Sequence, residues 1–297
     1  MNTSRKLFFP NKLAYILLLF LLSGCSSIFP ASQSFDGERA LMDITTQVNF
    51  GPRTPGSIAH KAAIDYIQNE LIKSGWDVSI LAQEINSKTA YNILATKNNQ
   101  ADLMLGAHYD SRISADNDPI KSNQGLAVPG ANDGASGVAV LLEIARVLPA
   151  SKTGVALLFI DIEDNGRIPG WDWILGSRAF TNEAKILPKI FILLDMIGDK
   201  DLSIFMERNS DPVITNQIWS SAKKLGYEKY FNPTYKYQVL DDHMPFIEKG
   251  VRSVDIIDLD YKYWHTTEDT ADKVSPVSLK IVGDTIIEWI MNNTVNR

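Results

Sequence analysis

Residues 155–164 read Val-Ala-Leu-Leu-Phe-Ile-Asp-Ile-Glu-Asp: six consecutive apolar residues that run into three carboxylates within four positions. A run this short and this continuous suits a strand buried on both faces of a sheet, because a half-exposed strand alternates apolar with polar. Residues 190–194, Ile-Phe-Ile-Leu-Leu, repeat the pattern and end on Asp195. Around these two runs, residues 58–74 carry Ala62, Ala63, Ile64, Ile67, Leu71 and Ile72 at helical spacing ahead of Gly75, and 134–148 form a second amphipathic stretch stopped by Pro149. Strand-like runs at 78–81, 91–96, 103–107 and 253–257 and a closing helix at 275–291 complete an alternation of helix and strand. From about Phe35 onward there is no long linker, internal repeat or low-complexity tract. The pattern predicts one α/β domain, a three-layer sandwich whose central mixed β-sheet is flanked by helices.

Composition is that of a soluble globular chain: 297 residues, 45% hydrophobic, 22% charged, with 29 Lys and Arg against 35 Asp and Glu. The net charge of −6 repels phosphate backbones, so nucleic acid is excluded as a partner, and it disfavours adhesion to anionic lipid by charge alone. The single cysteine, Cys25, leaves the body without a disulfide, a thiolate metal site or a cysteine nucleophile. Before it come a basic start (Arg5, Lys6, Lys12), an apolar run at 13–22 too short to span a bilayer, and then Leu22-Ser23-Gly24-Cys25. This end resembles the bacterial lipoprotein box, which implies a signal peptide at 1–25, lipidation of Cys25, a polar linker at 26–36 and a catalytic domain at 37–297. Ser26 then implies attachment at the periplasmic face of the outer membrane, with the lipid as the only membrane contact.

Polar residues gather where the strands end. Residues 103–107 lead into His108-Tyr109-Asp110-Ser111, 155–160 into Asp161 to Asp164, 190–194 into Asp195, and the last strand region into Trp264-His265-Thr266; Asp133 stands just ahead of a helix. Ligands of open α/β sheets bind at the carboxyl ends of the strands. A lone carboxylate there is commonly a cap or turn former. Several together, with two imidazoles and no cysteine, make an oxygen and nitrogen set suited to a catalytic zinc.

Four segments carry a specific resemblance: Gly51-Pro52-Arg53-Thr54-Pro55-Gly56-Ser57, Gly106-Ala107-His108-Tyr109-Asp110-Ser111, Gly130-Ala131-Asn132-Asp133-Gly134-Ala135-Ser136-Gly137 and Asp241-Asp242-His243-Met244-Pro245-Phe246. In this order the chain resembles the zinc aminopeptidase superfamily, and most of all its animal-type glutaminyl cyclase branch. The resemblance implies zinc ligands at Asp133, Asp164 and His265, with Glu163 as proton carrier. It further implies that His108 and Asp195 match the ligands of a second zinc in two-metal aminopeptidases, a metal that cyclases generally do without. One zinc is therefore expected for a cyclase and two for a peptidase. Trp264 before His265, Asp241 before Asp242-His243, and a tryptophan in the 171–173 segment favour the cyclase. Glu163-Asp164 departs from the Glu-Glu of the animal enzymes, and the aspartate is one methylene shorter.

The implied reaction closes an N-terminal glutamine of a peptide or protein into pyroglutamate with loss of ammonia. It needs a Lewis acid, a proton relay and a pocket that holds the glutamine curled, but no protein nucleophile. Trp264, Trp171 and Ile257 are candidate pocket walls, and Asp195 and Asp241 candidate holders of the substrate amine. The alternatives are a two-zinc aminopeptidase and, with no ligand position turned apolar to favour it, a non-catalytic peptide-binding relative. Trp173 reads as core packing, His60 as a surface residue of the first helix, and Arg53 as a loop anchor. Tyr109 and Asp110 read as braces of the His108 loop, with Asp110 orienting an imidazole. His243 reads either as support behind the site or as a structural hydrogen-bonding residue. The sequence leaves the oligomeric state open.

Overall fold

The run Val155–Ile160 forms a strand at the middle of a six-stranded sheet, as its continuous apolar character predicts. The computed structural model describes residues 1–4, 34–97, 101–149 and 154–293. The chain divides into a unit Met1–Ala31 and a unit Ser32–Arg297, and the architecture below belongs to the second. The lipobox-like segment and most of the expected linker lie outside the described residues.

The strands are β1 (Asp77–Ile85), β2 (Lys88–Thr96), β3 (Leu103–His108), β4 (Val155–Ile160), β5 (Ile190–Asp195), β6 (Ile204–Glu207), β7 (Phe231–Tyr237) and β8 (Arg252–Ile257). The main sheet has the order β1-β2-β4-β3-β5-β8, and β6 pairs with β7 in a small parallel ribbon. β1, β2 and β4 are antiparallel neighbours, whereas β4, β3, β5 and β8 run parallel, so the sheet is mixed. Asn86 and Ser87, both at positive φ, make the two-residue turn between β1 and β2.

The helices are α1 (Gly37–Asn49), α2 (Ile58–Lys73), α3 (Ala135–Val147), α4 (Leu175–Glu183), α5 (Pro212–Lys224), α6 (His243–Glu248) and α7 (Pro276–Asn293). Strand residues alternate between two apolar layers. Leu105, Leu157, Ile192 and Val254 join the side of α1, α2, α3 and α7, while Met104, Leu158, Phe191 and Leu193 join the side of α4 and α6. This is the predicted three-layer sandwich. On the second side Phe246 stacks on Phe191 with centroids 3.8 Å apart, and a Cβ at Gly106 would lie 2.4 Å from the Phe191 ring, so glycine allows the stack.

Helix α1 was not expected, because its buried face carries Asp43 and Gln47 beside Ala40 and Ile44, which breaks the apolar periodicity. The body also starts earlier than expected. Phe35, placed in the linker by the sequence reading, is 2% exposed against Gly283 of α7, and the Asp36 side chain caps α1 by accepting from Arg39 N at 3.1 Å.

Candidate active site

The parallel strands deliver their last residues to one edge of the sheet. β3 ends on His108, β5 on Asp195 and β8 on Ile257; β4 is followed by Glu163 and Asp164, and Asp133 lies two residues before α3. Asp133, Asp164 and His265 are buried and offer ligand atoms all within 4.8 Å of one another, and so do His108, Asp133 and Asp195. Asp133 belongs to both groups. Its Oδ1 lies 3.1 Å from His108 Nε2 and its Oδ2 lies 3.7 Å from His265 Nε2. His265 Nε2 is also 2.9 Å from Asp164 Oδ1, and His108 Nε2 is 3.2 Å from Asp195 Oδ1. Ligands about 2.0–2.1 Å from a tetrahedral ion stand roughly 3.3 Å apart, close to these separations. Among the described residues Asp133 Oδ2 and Asp164 Oδ2 are buried without a hydrogen-bond partner, as oxygens reserved for a cation would be. The donor set therefore fits a divalent metal, and the shorter Asp164 reaches the group.

A second ring of residues holds these side chains. Arg53 is fully buried and donates to Tyr109 O at 2.9 Å, Pro129 O at 2.8 Å and Gly130 O at 2.5 Å, tying the His108 and Asp133 loops together as the expected anchor. Asp269 accepts from Asn132 N at 2.9 Å and Asp133 N at 3.2 Å. Asp110 accepts from Glu163 N at 3.1 Å and Asp164 N at 3.3 Å, and its Oδ1 faces His108 Nδ1 at 3.5 Å. Its main work is thus to clamp the Glu163-Asp164 backbone. Asp116 Oδ1 stands 3.4 Å from His265 Nδ1, a carboxylate behind a candidate ligand imidazole. A Cβ at Gly134 would lie 2.4 Å from His108 O, so only glycine lets the two ligand loops touch.

Without a cation the cluster is electrostatically costly. Burial pushes Glu163 well above the usual carboxylate range, and the neighbouring acids add to it against the opposing pull of His108. Burial, then Asp133, lifts Asp164 to about 6. Asp241 is held well up by burial and by the Asp195 and Asp242 carboxylates. Burial opposes protonation of His265, but Asp164, Asp116 and Asp133 prevail and raise it to about 9.

Both the Asp133–Asp164–His265 group and Glu163 open onto a cavity of about 330 Å³, whose other walls include Trp173, Asp195, Asp241, Ile257 and Trp264. Trp264 and Trp173 flank the His265 ring, with centroids 4.0 Å and 5.9 Å away. The segment 238–241 closes a further side, pinned by Glu207 at the end of β6, whose Oε1 accepts from Val239 N at 3.0 Å.

The profile of peptidase family M28 matches residues 92–290, most of the chain and all of this cavity's lining. The chain belongs to peptidase family M28. Among solved structures it is similar to the glutaminyl cyclase of Bacteroides thetaiotaomicron bound to N-acetylhistamine, at 31% identity, 89% of this chain and 100% of that one, with a TM-score of 0.82. It is likewise similar to a Zn-dependent exopeptidase from Parabacteroides distasonis, at 33% identity, 89% and 100% coverage and a TM-score of 0.81. A curated relative, the glutaminyl-peptide cyclotransferase of Drosophila melanogaster, is 28% identical over 75% of this chain and 72% of its own.

In this M28 chain three sequence expectations change. Trp171 is not a wall of the cavity: it packs on Ala90, Ile162, Leu175 and Ala179, with Lys88 Nζ 4.1 Å from its ring centroid. Trp173, expected in the core, takes the wall position instead, because the turn at Gly166 brings its ring over the site, where a Cβ at 166 would lie 2.1 Å away. His60 is not on the surface. It is 3% exposed, with Nε2 2.7 Å from Asp161 Oδ1, and this pairing removes Asp161 from the candidate ligands. His243 lies outside the cavity lining, fully buried with Nε2 3.4 Å from Glu207 Oε2, and supports the 238–241 segment from behind without a hydrogen bond. Met196, Leu259 and Arg167, which sequence reasoning passed over, also line the cavity. Met196, the next residue after β5, was within reach of the strand-end argument.

Proposed function

We propose that this protein is a zinc-dependent glutaminyl-peptide cyclotransferase, converting the N-terminal glutamine of peptides or proteins to pyroglutamate with release of ammonia. The observation that carries the reading is the small cavity onto which a protonatable buried Glu163, a three-ligand metal group and two flanking indoles all open. At about 330 Å³ it stands at the low end of ligand pockets, a size for a terminal residue rather than for extended chain. The similarity to glutaminyl cyclases over nearly their whole length supports the same reading.

Asp133, Asp164 and His265 would hold one zinc, and when bound it supplies Lewis-acid polarisation of the γ-carbonyl. The chain's own groups do the rest. Trp264, Trp173 and Ile257 curl the glutamine side chain back toward its α-amine, which saves orientational entropy at the reacting atoms. Asp195 and Asp241, whose carboxyls interact strongly, receive that amine. As the α-nitrogen bonds to the γ-carbon, Glu163 takes its proton. It returns the proton to the amide nitrogen as the old carbon–nitrogen bond breaks, and ammonia leaves. Glu163 ends as it began, so atoms and charge balance.

One observation favours a second reading, a two-zinc aminopeptidase: the His108–Asp133–Asp195 group shares Asp133 with the first. The test is to incubate the purified protein with a glutaminyl peptide and with a leucyl peptide amide. Loss of one ammonia from the first, with one tightly held zinc per chain, is the expected result; free leucine with two zinc ions would replace the cyclase by the peptidase. The lipobox-like Leu22-Ser23-Gly24-Cys25 supports a periplasmic enzyme anchored by lipid at Cys25 to the outer membrane, with no nucleic-acid partner. Incorporation of labelled fatty acid that disappears in Cys25→Ser tests the anchor.

A further inference from the structure

Arg167 has no place in the reaction above, yet among the described residues it is the only lysine or arginine lining the cavity. It is exposed, and its guanidinium makes no ion pair or hydrogen bond among the described residues, although Asp133, Glu163, Asp164, Asp195 and Asp241 line the same space. Those acids are buried on the floor, whereas Arg167 stands in solvent at the rim. The turn that carries it is rigid. Asn165 is fully buried, with Oδ1 accepting from Ile113 N at 3.0 Å and Nδ2 donating to Asp110 Oδ2 at 3.3 Å. Gly166 O accepts from Arg112 Nη2 at 3.0 Å. Arg167 itself holds φ +63°, a conformation uncommon for a residue with a side chain. A rigid turn thus presents an unpaired guanidinium, a planar fork suited to carboxylates, beside an acidic pocket.

The cavity is therefore polarised, negative within and positive at its mouth. A peptide whose N-terminal amine enters the floor must leave through the mouth with its next residues. We infer that Arg167 is a specificity-determining residue that binds a substrate carboxylate just beyond the N-terminal residue, so that peptides with an acidic second or third residue are preferred. This rests on the reading that the N-terminal residue occupies the cavity, which cyclase and aminopeptidase share. The carboxylate can come from an Asp or Glu side chain or from the C-terminus of a very short peptide.

The test compares kcat/KM on zinc-loaded protein for Gln-Glu-Ala-amide, Gln-Ala-Ala-amide, Gln-Lys-Ala-amide and Gln-Ala with a free C-terminus, in wild type, Arg167→Ala, Arg167→Lys and Arg167→Glu. The leucyl counterparts are run in parallel, and binding of every peptide is measured by calorimetry. Wild type should favour the glutamyl over the alanyl peptide about two- to fivefold, the range of a solvent-exposed ion pair, and the preference should shrink with added salt. The ratio should fall toward one in Arg167→Ala, survive in part in Arg167→Lys, and turn in favour of the lysyl peptide in Arg167→Glu. A gain confined to Gln-Ala with its free C-terminus would assign the C-terminal source of the carboxylate and overturn the side-chain preference. A glutamyl preference that is absent, or that persists in Arg167→Ala, overturns the inference. Turnover of only the leucyl series would sink the cyclase reading while leaving the Arg167 ratio measurable, and calorimetry gives the same ratio if neither series turns over.

Discussion

Two charge clusters, one half-buried and one buried, sit at opposite ends of the same helix, α3. At its C-terminal side Arg146 binds Asp43 of α1 at 2.5 Å and Glu70 of α2 at 2.8 Å, while Arg39 of α1 binds Glu143 at 2.5 Å and 2.6 Å. Tyr66 adds a hydrogen bond to Asp43, and the Asp36 amide one to Glu143. At its N-terminal side, five carboxylates line one cavity, and Asp133 Oδ2 and Asp164 Oδ2 accept no hydrogen bond among the described residues. The first cluster answers each charge with another and joins three helices. The second leaves buried oxygens unanswered, a cost that persists only where a ligand supplies the missing charge. Unmet demand, rather than charge density, distinguishes the second cluster from the first.

The largest expected effect tests the second cluster. Glu163→Gln should lower kcat by about 10²–10⁴-fold while metal analysis finds zinc still bound, and His265→Ala should lose the metal itself. Activity near wild type in Glu163→Gln would remove that carboxyl from the reaction. The matching break in the first cluster is Arg146→Met, which strands the buried Asp43, whereas Glu70 keeps Lys73 at 2.8 Å. It should cost about 3–5 kcal/mol in denaturant unfolding without changing turnover per folded molecule. A loss of turnover greater than the loss of folded protein would show that the two ends of α3 are not separable.

The tryptophans sharpen the contrast on a smaller scale. Trp173→Leu should raise KM roughly three- to tenfold, the worth of one aromatic contact, whereas Trp171→Leu should leave KM unchanged and lower only the melting temperature. The reverse result would return Trp171 to the cavity wall.

The smallest effect concerns Asp258, buried just beyond β8, where desolvation lifts its carboxyl from 3.8 to about 7. Because the folded value is the higher one, its protonated form favours the fold. Its contribution is full below about 3.8 and declines as pH rises to about 7. Asp258→Asn should therefore melt a few degrees above wild type at pH 8 and lose that advantage at pH 4. An equal gain at both pH values would show that burial of this charge is not the cause.

Much of this was legible in the chain. Continuous apolar runs suit strands buried on both faces of a sheet, so β4 and β5 were readable, with β3 and β8 as shorter strand-like stretches, and so were the candidate ligands that follow them. Helices α1 and α5 and the ribbon β6–β7 were not read. Their buried faces mix polar with apolar residues, as with Asp43 and Gln47 in α1 and Thr215 and Ser221 in α5. The two tryptophans two positions apart were assigned the wrong way round, Trp171 to the pocket and Trp173 to the core, since their neighbours in sequence are nearly the same.

Local order alone determined the α/β alternation, the strand ends and the residue types able to grip a metal, because backbone periodicity and side-chain chemistry are properties of short stretches. The tertiary structure alone decided which carboxylates remain unpaired. His60 claims Asp161 across 101 residues, Arg146 claims Asp43 across 103, and among the described residues no donor reaches Asp164 Oδ2. The field at a buried atom is the sum over neighbours brought together by packing, and that sum has no counterpart along the chain.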